Sequence, residues 1–153
     1  MRNNKKLLIE QLDRKLEPFQ KTEQVLVPNK GWVNTIRIAL NMTMAQLGNK
    51  LNITRQGVKK IEESEAKGSI SINSLKEIGE ILDLTFVYGF VPKEGSIDNL
   101  VSLKAENLAR KIVQRTNQNM KLEGQGISDK KINESVKDLA NDIKREMRKS
   151  LWD

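Results

Sequence analysis

The feature that most constrains this sequence is a pair of short predicted helices, joined by a tight turn, within residues 43–62. Thr43 is followed three residues later by Gln46, which is the pattern of a capping box at a helix start. Asn52 tolerates the left-handed backbone that a tight turn requires, and Thr54 is placed to cap the second helix. Two helices joined by three or four residues in this way form a helix-turn-helix motif.

Apolar and small side chains supply the predicted interior of this motif. Gly48 lies midway along the first helix, where a small residue lets the two helices approach closely. The side chains expected to fill the shared interior and the space under the turn are Leu47, Leu51, Ile53, Val58 and Ile61.

The outward face of the second helix is basic and polar, with Arg55, Gln56, Lys59 and Lys60 around Gly57. Arginine can make two bonds to guanine, glutamine can make two to adenine, and lysine suits guanine or phosphate. Gly57 removes bulk where such a helix lies nearest to DNA, and the capped N-terminus favours a phosphate or a base edge. We therefore predict that this helix enters the major groove. An ordinary solvated helical hairpin with a basic face is the alternative.

Charge is segregated along the chain, whose formal net charge is +7. Residues 62–83 hold six acids and two lysines, whereas residues 30–61 hold no acid. This segregation is typical of a surface that faces phosphate. The six basic residues of the acid-free stretch are Lys30, Arg37, Lys50, Arg55, Lys59 and Lys60.

The chain contains no cysteine and no histidine. Disulfides, Cys/His zinc sites, thiol nucleophiles and histidine-based triads are thereby excluded. We find no nucleophile–base pair, so we predict that the protein is not an enzyme and needs no cofactor or metal. No apolar run is long enough to cross a bilayer and no signal peptide is recognisable, so we expect a cytoplasmic protein.

The predicted organisation is all-α apart from one strand. Residues 1–29 form an N-terminal helix and a linker; Leu8, Leu12 and Leu16 are its apolar stripe and Pro18 its end. Residues 30–84 form the helix-turn-helix domain, in which we predict four short helices, the first with Trp32, Ile36 and Leu40 on its apolar side and the last capped by Ser71.

A strand and two long helices follow this domain. Residues 85–92 are rich in β-branched and aromatic side chains, which predicts a strand. Its backbone needs a partner, either residues 25–27 or the same strand of a second subunit. Residues 96–153 carry two amphipathic helices capped by Ser96 and Ser128, with a hinge at Gly124 and Gly126, for dimerisation or partner binding.

Residues 31–84 resemble the phage-repressor-like helix-turn-helix domains of the Xre family. The resemblance implies a five-helix core and a transcriptional regulator that binds DNA as a dimer. Because a single reading helix gains affinity and length of site by pairing, we expect a homodimer on an inverted-repeat operator of double-stranded DNA. We also expect the protein to repress its own promoter. The chain also resembles the bacterial group named mobile mystery protein A. The segments that carry this second resemblance are residues 8–13, Gly31-Trp32, Ile36-Arg37, Met42-Thr43, residues 53–56, residues 87–92 and residues 120–123.

The resemblance also assigns roles to residues. Arg55, Gln56 and Lys60 match base-reading positions, and Thr43, Met44 and Thr54 match positions near the DNA backbone. Asn52 stands where glycine is common, and Met44 stands where a polar residue is common, which leaves Met44 only its backbone N–H for phosphate. The predicted DNA-binding residues are Arg37, Thr43, Met44, Lys50, Thr54, Arg55, Gln56, Gly57, Lys59 and Lys60.

A second function is implied by the mobile mystery protein A group, whose members are typically encoded beside a Fic-domain protein. Fic enzymes are often restrained by a helix with Ser or Thr, three residues, Glu, and then Gly or Asn. Ser102, Glu106 and Asn107 resemble this pattern. The alternative function is therefore an antitoxin that binds and inhibits a Fic-domain partner, with or without operator binding; a solvated helix face is the simpler interpretation of the same residues.

Overall fold

The computed structural model describes residues 2–122, 124 and 128–153. In these residues the chain is helical and contains no strand. No helix in the same residues is long and apolar enough to cross a membrane. Two 3-10 helices cover Glu17–Gln24 and Lys149–Trp152, and the α-helices are α1 (Arg2–Leu16), α2 (Trp32–Ala39), α3 (Met44–Leu51), α4 (Arg55–Lys67), α5 (Ile72–Ile81), α6 (Ile97–Leu122) and α7 (Asp129–Glu146).

The chain folds into two compact units, one of which is the continuous segment Gln24–Tyr88. This unit consists of α2, α3, α4 and α5 around a core of Val33, Leu47, Val58 and Ile78. The four helices predicted for this part of the sequence are confirmed. The five-helix core implied by the family resemblance is not confirmed, since Gln24–Tyr88 contains four helices.

The other unit combines the two ends of the chain, Met1–Glu23 and Gly89–Asp153. Its core lies between α6 and α7, with Ile9 of α1 packed against it. Asp13 of α1 accepts hydrogen bonds from the backbone N–H groups of Ile97 and Asp98, at 2.7 and 3.2 Å, and so caps α6. The N-terminal helix is therefore part of the same unit as the C-terminal helices and not of a separate segment 1–29.

The predicted serine caps are confirmed. Ser71, Ser96 and Ser128 each accept a hydrogen bond from the backbone N–H three residues later, at the starts of α5, α6 and α7. Ser/Thr oxygen is suited to this position because the first backbone N–H groups of a helix have no partner inside the helix. The glycine hinge predicted before α7 cannot be described, because Gly126 lies outside the described residues.

The predicted apolar faces are wrong in part. Leu8 and Leu12 are exposed, while Ile9 faces the core of its unit. In α2 the buried side chains are Val33 and Arg37, whereas Trp32 and Leu40 are exposed. In both helices, most of the side chains predicted to form the apolar stripe lie next to the buried face and not on it.

The predicted strand at residues 85–92 is not confirmed. The segment lies outside every helix and turn, but it has no strand partner among the described residues. β-branched and aromatic composition reports how well side chains fit a sheet surface, and it cannot supply the neighbouring backbone that a sheet requires.

Candidate nucleic-acid interface

Side-chain hydrogen bonds fix the starts of both helices of the motif, α3 and α4. Thr43 Oγ1 accepts from Gln46 N at 3.1 Å and Gln46 Oε1 accepts from Thr43 N at 2.9 Å, which completes the predicted capping box. Thr54 Oγ1 accepts from Gly57 N at 3.0 Å. Asn52 adopts the left-handed conformation between them, with φ 57° and ψ 38°. These bonds fix where each helix begins.

Gly48 is required by the close approach of the turn to α3. A Cβ atom on Gly48 would lie 2.7 Å from the carbonyl oxygen of Ile53, a backbone atom that cannot swing aside. Ile53 N donates to the carbonyl oxygen of Gly48 at 2.9 Å. The need for a small residue is therefore real, but it arises from the turn backbone more than from the crossing of two helix axes.

The two helices of the motif are seated on each other by buried apolar side chains. Leu47 of α3 and Val58 of α4 are fully buried, and Leu51 and Ile61 are partly buried against the same core. Ile53, which was predicted to lie under the turn, is 37% exposed and rests beside Gly57. The core orients α4 because a rotation about its axis would expose Val58.

The side of α4 opposite this core carries the predicted contact residues. Arg55, Gln56, Lys59 and Lys60 are all exposed. At about 100° per residue, they occupy an arc of roughly 140° on the first two turns of the helix. Glu63 lies on the same arc one turn later and is also exposed. Beyond the second turn the same arc carries Glu63 and, in the last turn, the exposed Lys67, so the face is no longer purely basic there.

Arg37 was predicted to be a DNA-binding residue, but its side chain is not exposed. It is buried in α2, where Nε donates to Glu62 Oε1 at 2.5 Å and Nη1 donates to the carbonyl oxygen of Met42 at 2.9 Å. Glu62 of α4 also accepts from Asn34 at 3.0 Å. We remove Arg37 from the interface, since its guanidinium neutralises a buried carboxylate and ties α2 to α4.

Glu65 has a structural role that sequence reasoning missed. Its carboxylate accepts from the backbone N–H groups of Trp32 and Val33 at 2.7 and 2.8 Å. These are the first two N–H groups of α2, and the residue before them, Gly31, has no side chain to cap them. Two of the acidic residues that follow the basic stretch, Glu62 and Glu65, therefore stabilise the domain. The segregation of charge along the sequence thus reflects contacts within the domain as well as an expected phosphate-facing surface.

The other predicted DNA-binding residues occupy two kinds of position. Thr43, Thr54 and Lys50 are exposed, the threonines at the N-termini of α3 and α4 and the lysine near the end of α3. Met44 is partly buried and packs against the core, so its side chain serves the interior. Gly57 gives room to Ile53, since a Cβ there would lie 3.3 Å from Ile53 Cδ1.

The residues of the Fic-inhibitory pattern lie in the other unit, on α6. Ser102 accepts a hydrogen bond from Lys144 Nζ at 2.7 Å. Glu106 is exposed and pairs with Arg110 at 3.3 Å, one turn along the same helix. Asn107 is exposed. Glu106 is thus reachable from solvent while Ser102 is bound within the fold.

The comparison with family models bears on the first unit. The model described as Helix-turn-helix matches residues 33–88, which run from the second residue of α2 to beyond the end of α5. These residues are an Xre-like helix-turn-helix domain. Domains of this family are DNA-binding domains of transcription regulators and are not enzymatic. The match gives no evidence for membership of the mobile mystery protein A group. No curated protein and no solved structure matches the chain.

Proposed function

We propose that this protein is a sequence-specific transcription regulator that places the first two turns of α4 in the major groove. The observation that carries the proposal is the exposed set of Arg55, Gln56, Lys59 and Lys60 on a helix whose opposite side is fixed by buried Val58. We assign the contacts to base edges to Arg55 and Gln56, because arginine can make bidentate hydrogen bonds to guanine and glutamine to adenine. Lys59 and Lys60 serve phosphate or guanine.

The N-termini of α3 and α4 are proposed to contact the DNA backbone. Thr54 satisfies the N–H of Gly57, which leaves the N–H groups of Arg55 and Gln56 directed outward at the positive end of the helix dipole. The corresponding end of α3 begins at Met44, whose backbone N–H can still serve although its side chain faces the core. Helix N-termini are suited to phosphate because both the dipole and the free N–H groups favour an anion.

A dimer on an inverted repeat is the proposed working state. One helix reads only a few base pairs, and a dimer with half-sites about one helical turn apart lengthens the site and raises affinity. The proposed target is the protein's own promoter, which makes it an autorepressor.

Selection of bound sequences from a pool of random DNA duplexes tests sequence-specific recognition. We expect the full chain to enrich an inverted repeat. Arg55→Ala should lose about 1–3 kcal/mol of discrimination at one base pair of each half-site. An unenriched pool, or an Arg55→Ala variant with the preferences of the natural chain, contradicts the proposal.

The salt dependence of affinity separates phosphate contacts from base contacts. Lys59→Ala should weaken binding to all duplexes and reduce the slope of log K against log salt by about 0.9, the value for one lost phosphate contact. Lys137→Ala is the matched control, since Lys137 is an exposed lysine on α7, outside the helix-turn-helix unit. Equal slopes for the two variants would refute the role of Lys59.

Inhibition of a Fic-domain partner is a second proposal, favoured by the exposure of Glu106 on α6. A glutamate that engages a partner's arginine must be reachable, and its present partner Arg110 is a surface contact that is readily exchanged. Glu106→Gly should abolish inhibition of a Fic protein encoded beside this chain, while Glu134→Gly, at an exposed glutamate of α7, should not. Unchanged inhibition by the Glu106 variant would rule out this function.

A further inference from the structure

Most of the net positive charge of the chain lies outside the helix-turn-helix domain, in the unit Met1–Glu23 and Gly89–Asp153. This unit holds 19 basic and 14 acidic residues, and so carries five of the seven net charges. The excess is concentrated on α6, where residues 107–122 contain four cations and no acid. A solvated helix surface usually mixes the two signs, so this segment indicates a surface that faces an anion.

Three of the cations on α6 form a single stripe along the helix. Lys104, Lys111 and Arg115 are exposed, and at about 100° per residue they lie within an arc of roughly 40°. Ala109 and Val113 lie on the other side of the helix and pack in the core of the unit. This packing fixes the rotation of α6 and keeps the α6 stripe, defined by these three cations, in contact with solvent.

The α6 stripe has no partner inside the fold. Within the described part of the chain, none of its three side chains makes an ion pair or a hydrogen bond. Neighbouring cations are paired, since Arg110 contacts Glu106 at 3.3 Å and Lys144 contacts Asp98 at 3.1 Å. An anion can therefore bind the stripe without displacing a carboxylate.

We propose that the α6 stripe binds the phosphate backbone of duplex DNA, as a contact surface additional to α4. The stripe is about 16 Å long, and one DNA strand presents roughly five phosphates over this length. Amide side chains flank it, since Asn107, Gln114 and Gln118 are exposed on its adjacent side. Lysine, arginine and amide side chains are the groups that proteins commonly place on phosphate oxygens.

Duplex DNA is the polyanion that the rest of the chain favours. Residues 33–88 belong to a DNA-binding family, and a second surface in the same chain stays at high effective concentration near a duplex that the first one holds. Backbone contacts carry no sequence information, so the α6 stripe adds affinity and salt dependence without adding specificity. The choice of DNA as the partner rests on the proposed function.

Salt dependence of the full chain on a duplex of arbitrary sequence tests the surface. Lys104→Ala combined with Lys111→Ala should lower the slope of log K against log salt by about 1.8, the value for two lost phosphate contacts. Affinity at about 0.1 M salt should fall by at least about tenfold. Alanine favours helix, so the urea midpoint of unfolding should not fall. Lys104→Arg with Lys111→Arg keeps both charges and should keep the slope.

The matched control removes two lysines of the same spacing from α7. Lys130 and Lys137 are exposed and seven residues apart, but the exposed Glu134 lies between them on the same face. Lys130→Ala with Lys137→Ala should leave the slope unchanged, because this face carries both signs. Equal slopes for the α6 and α7 double variants would overturn the proposal, and this is also the result expected if the stripe serves an acidic protein.

Amine modification of the natural chain gives a second readout that needs no substitution. Bound duplex should slow acetylation of Lys104 and Lys111 several-fold and leave Lys130 and Lys137 unchanged, as read by mass spectrometry. Equal rates at all four lysines with and without duplex would also overturn the proposal.

Sequence selection separates this inference from the proposed function. The α6 double variant should enrich the same inverted repeat as the natural chain, because α4 is proposed to read the bases. A natural chain that enriches no sequence, with an α6 double variant that still lowers the salt slope, would refute the proposed function and support the α6 stripe.

Discussion

At the scale of single residues, acidic side chains determine how the helix-turn-helix domain is held together. Glu62 pairs with Arg37 in the interior, and Glu65 caps α2 from α4. Both interactions join α2 to α4, whose basic face lies on its other side. The position of Arg55 and its neighbours therefore depends on two carboxylates that are hydrogen-bonded to α2.

Removing Glu62 should destabilise the domain strongly. Glu62→Ala leaves the Arg37 guanidinium buried without its partner, which costs about 3–5 kcal/mol for a buried ion pair broken on one side. Urea unfolding of the full chain measures the loss. Glu63→Ala is the matched control, since Glu63 is the exposed neighbour and its removal should change stability by less than about 0.5 kcal/mol. Equal effects of the two substitutions would contradict the assigned role of Glu62.

The positions of Arg37 and Glu62 in the sequence indicate that both side chains are buried, whereas the charge of Arg37 alone favoured a DNA contact. Arg37 stands four residues after buried Val33, and Glu62 stands four residues after buried Val58, so each charge continues an apolar stripe. Such spacing places each charge on the buried side of its own helix, and the structure shows that the two charges meet there. Arg37 was instead grouped with the exposed lysines by its sign, which carries no information on burial.

At the scale of elements, the helix starts could be predicted and the contacts between distant elements could not. Capping depends on residues three apart, so Thr43, Thr54 and the three serines are visible in the sequence itself. The bond from Asp13 to α6 joins residues more than eighty positions apart, and no local pattern encodes it. The strand predicted at residues 85–92 is absent because no backbone among the described residues pairs with that segment, and composition alone does not reveal whether a partner exists.

The cap of α4 makes a prediction about helix ends. Thr54→Ala removes the acceptor of the Gly57 N–H and should lower the free energy of unfolding by about 1 kcal/mol. It should also weaken duplex binding, because the first turn of α4 carries Arg55 and Gln56. Thr54→Ser keeps the oxygen and should stay within a few tenths of a kcal/mol of the natural chain. The account of the cap fails if urea unfolding shows the serine variant to be as destabilised as the alanine variant.

At the scale of the whole molecule, the chain has two cores and each is expected to respond to its own substitutions. Leu47 is fully buried in the unit Gln24–Tyr88, and Ile143 is fully buried in the other. Leu47→Ala and Ile143→Ala should each cost about 2–5 kcal/mol in the unit concerned.

Amide hydrogen exchange tests whether the two units open independently or as one cooperative unit. In Leu47→Ala the protected amides of residues 24–88 should exchange faster, and in Ile143→Ala those of α6 and α7 should do so, because exchange reports opening of separate cooperative units. Each variant serves as the control for the other. Uniform acceleration through both units by either substitution would show a single cooperative core instead.

The central claim is that Arg55 reads a base edge in the major groove, and guanine methylation interference tests it most directly. A methyl group on guanine N7 blocks the major-groove acceptor that arginine uses and leaves the minor groove unchanged. On the duplex selected by the natural chain, we predict that methylation of one guanine in each half-site prevents binding, and that Arg55→Ala is insensitive at that guanine only. An unchanged interference pattern in Arg55→Ala, or no interference with the natural chain, would contradict the account.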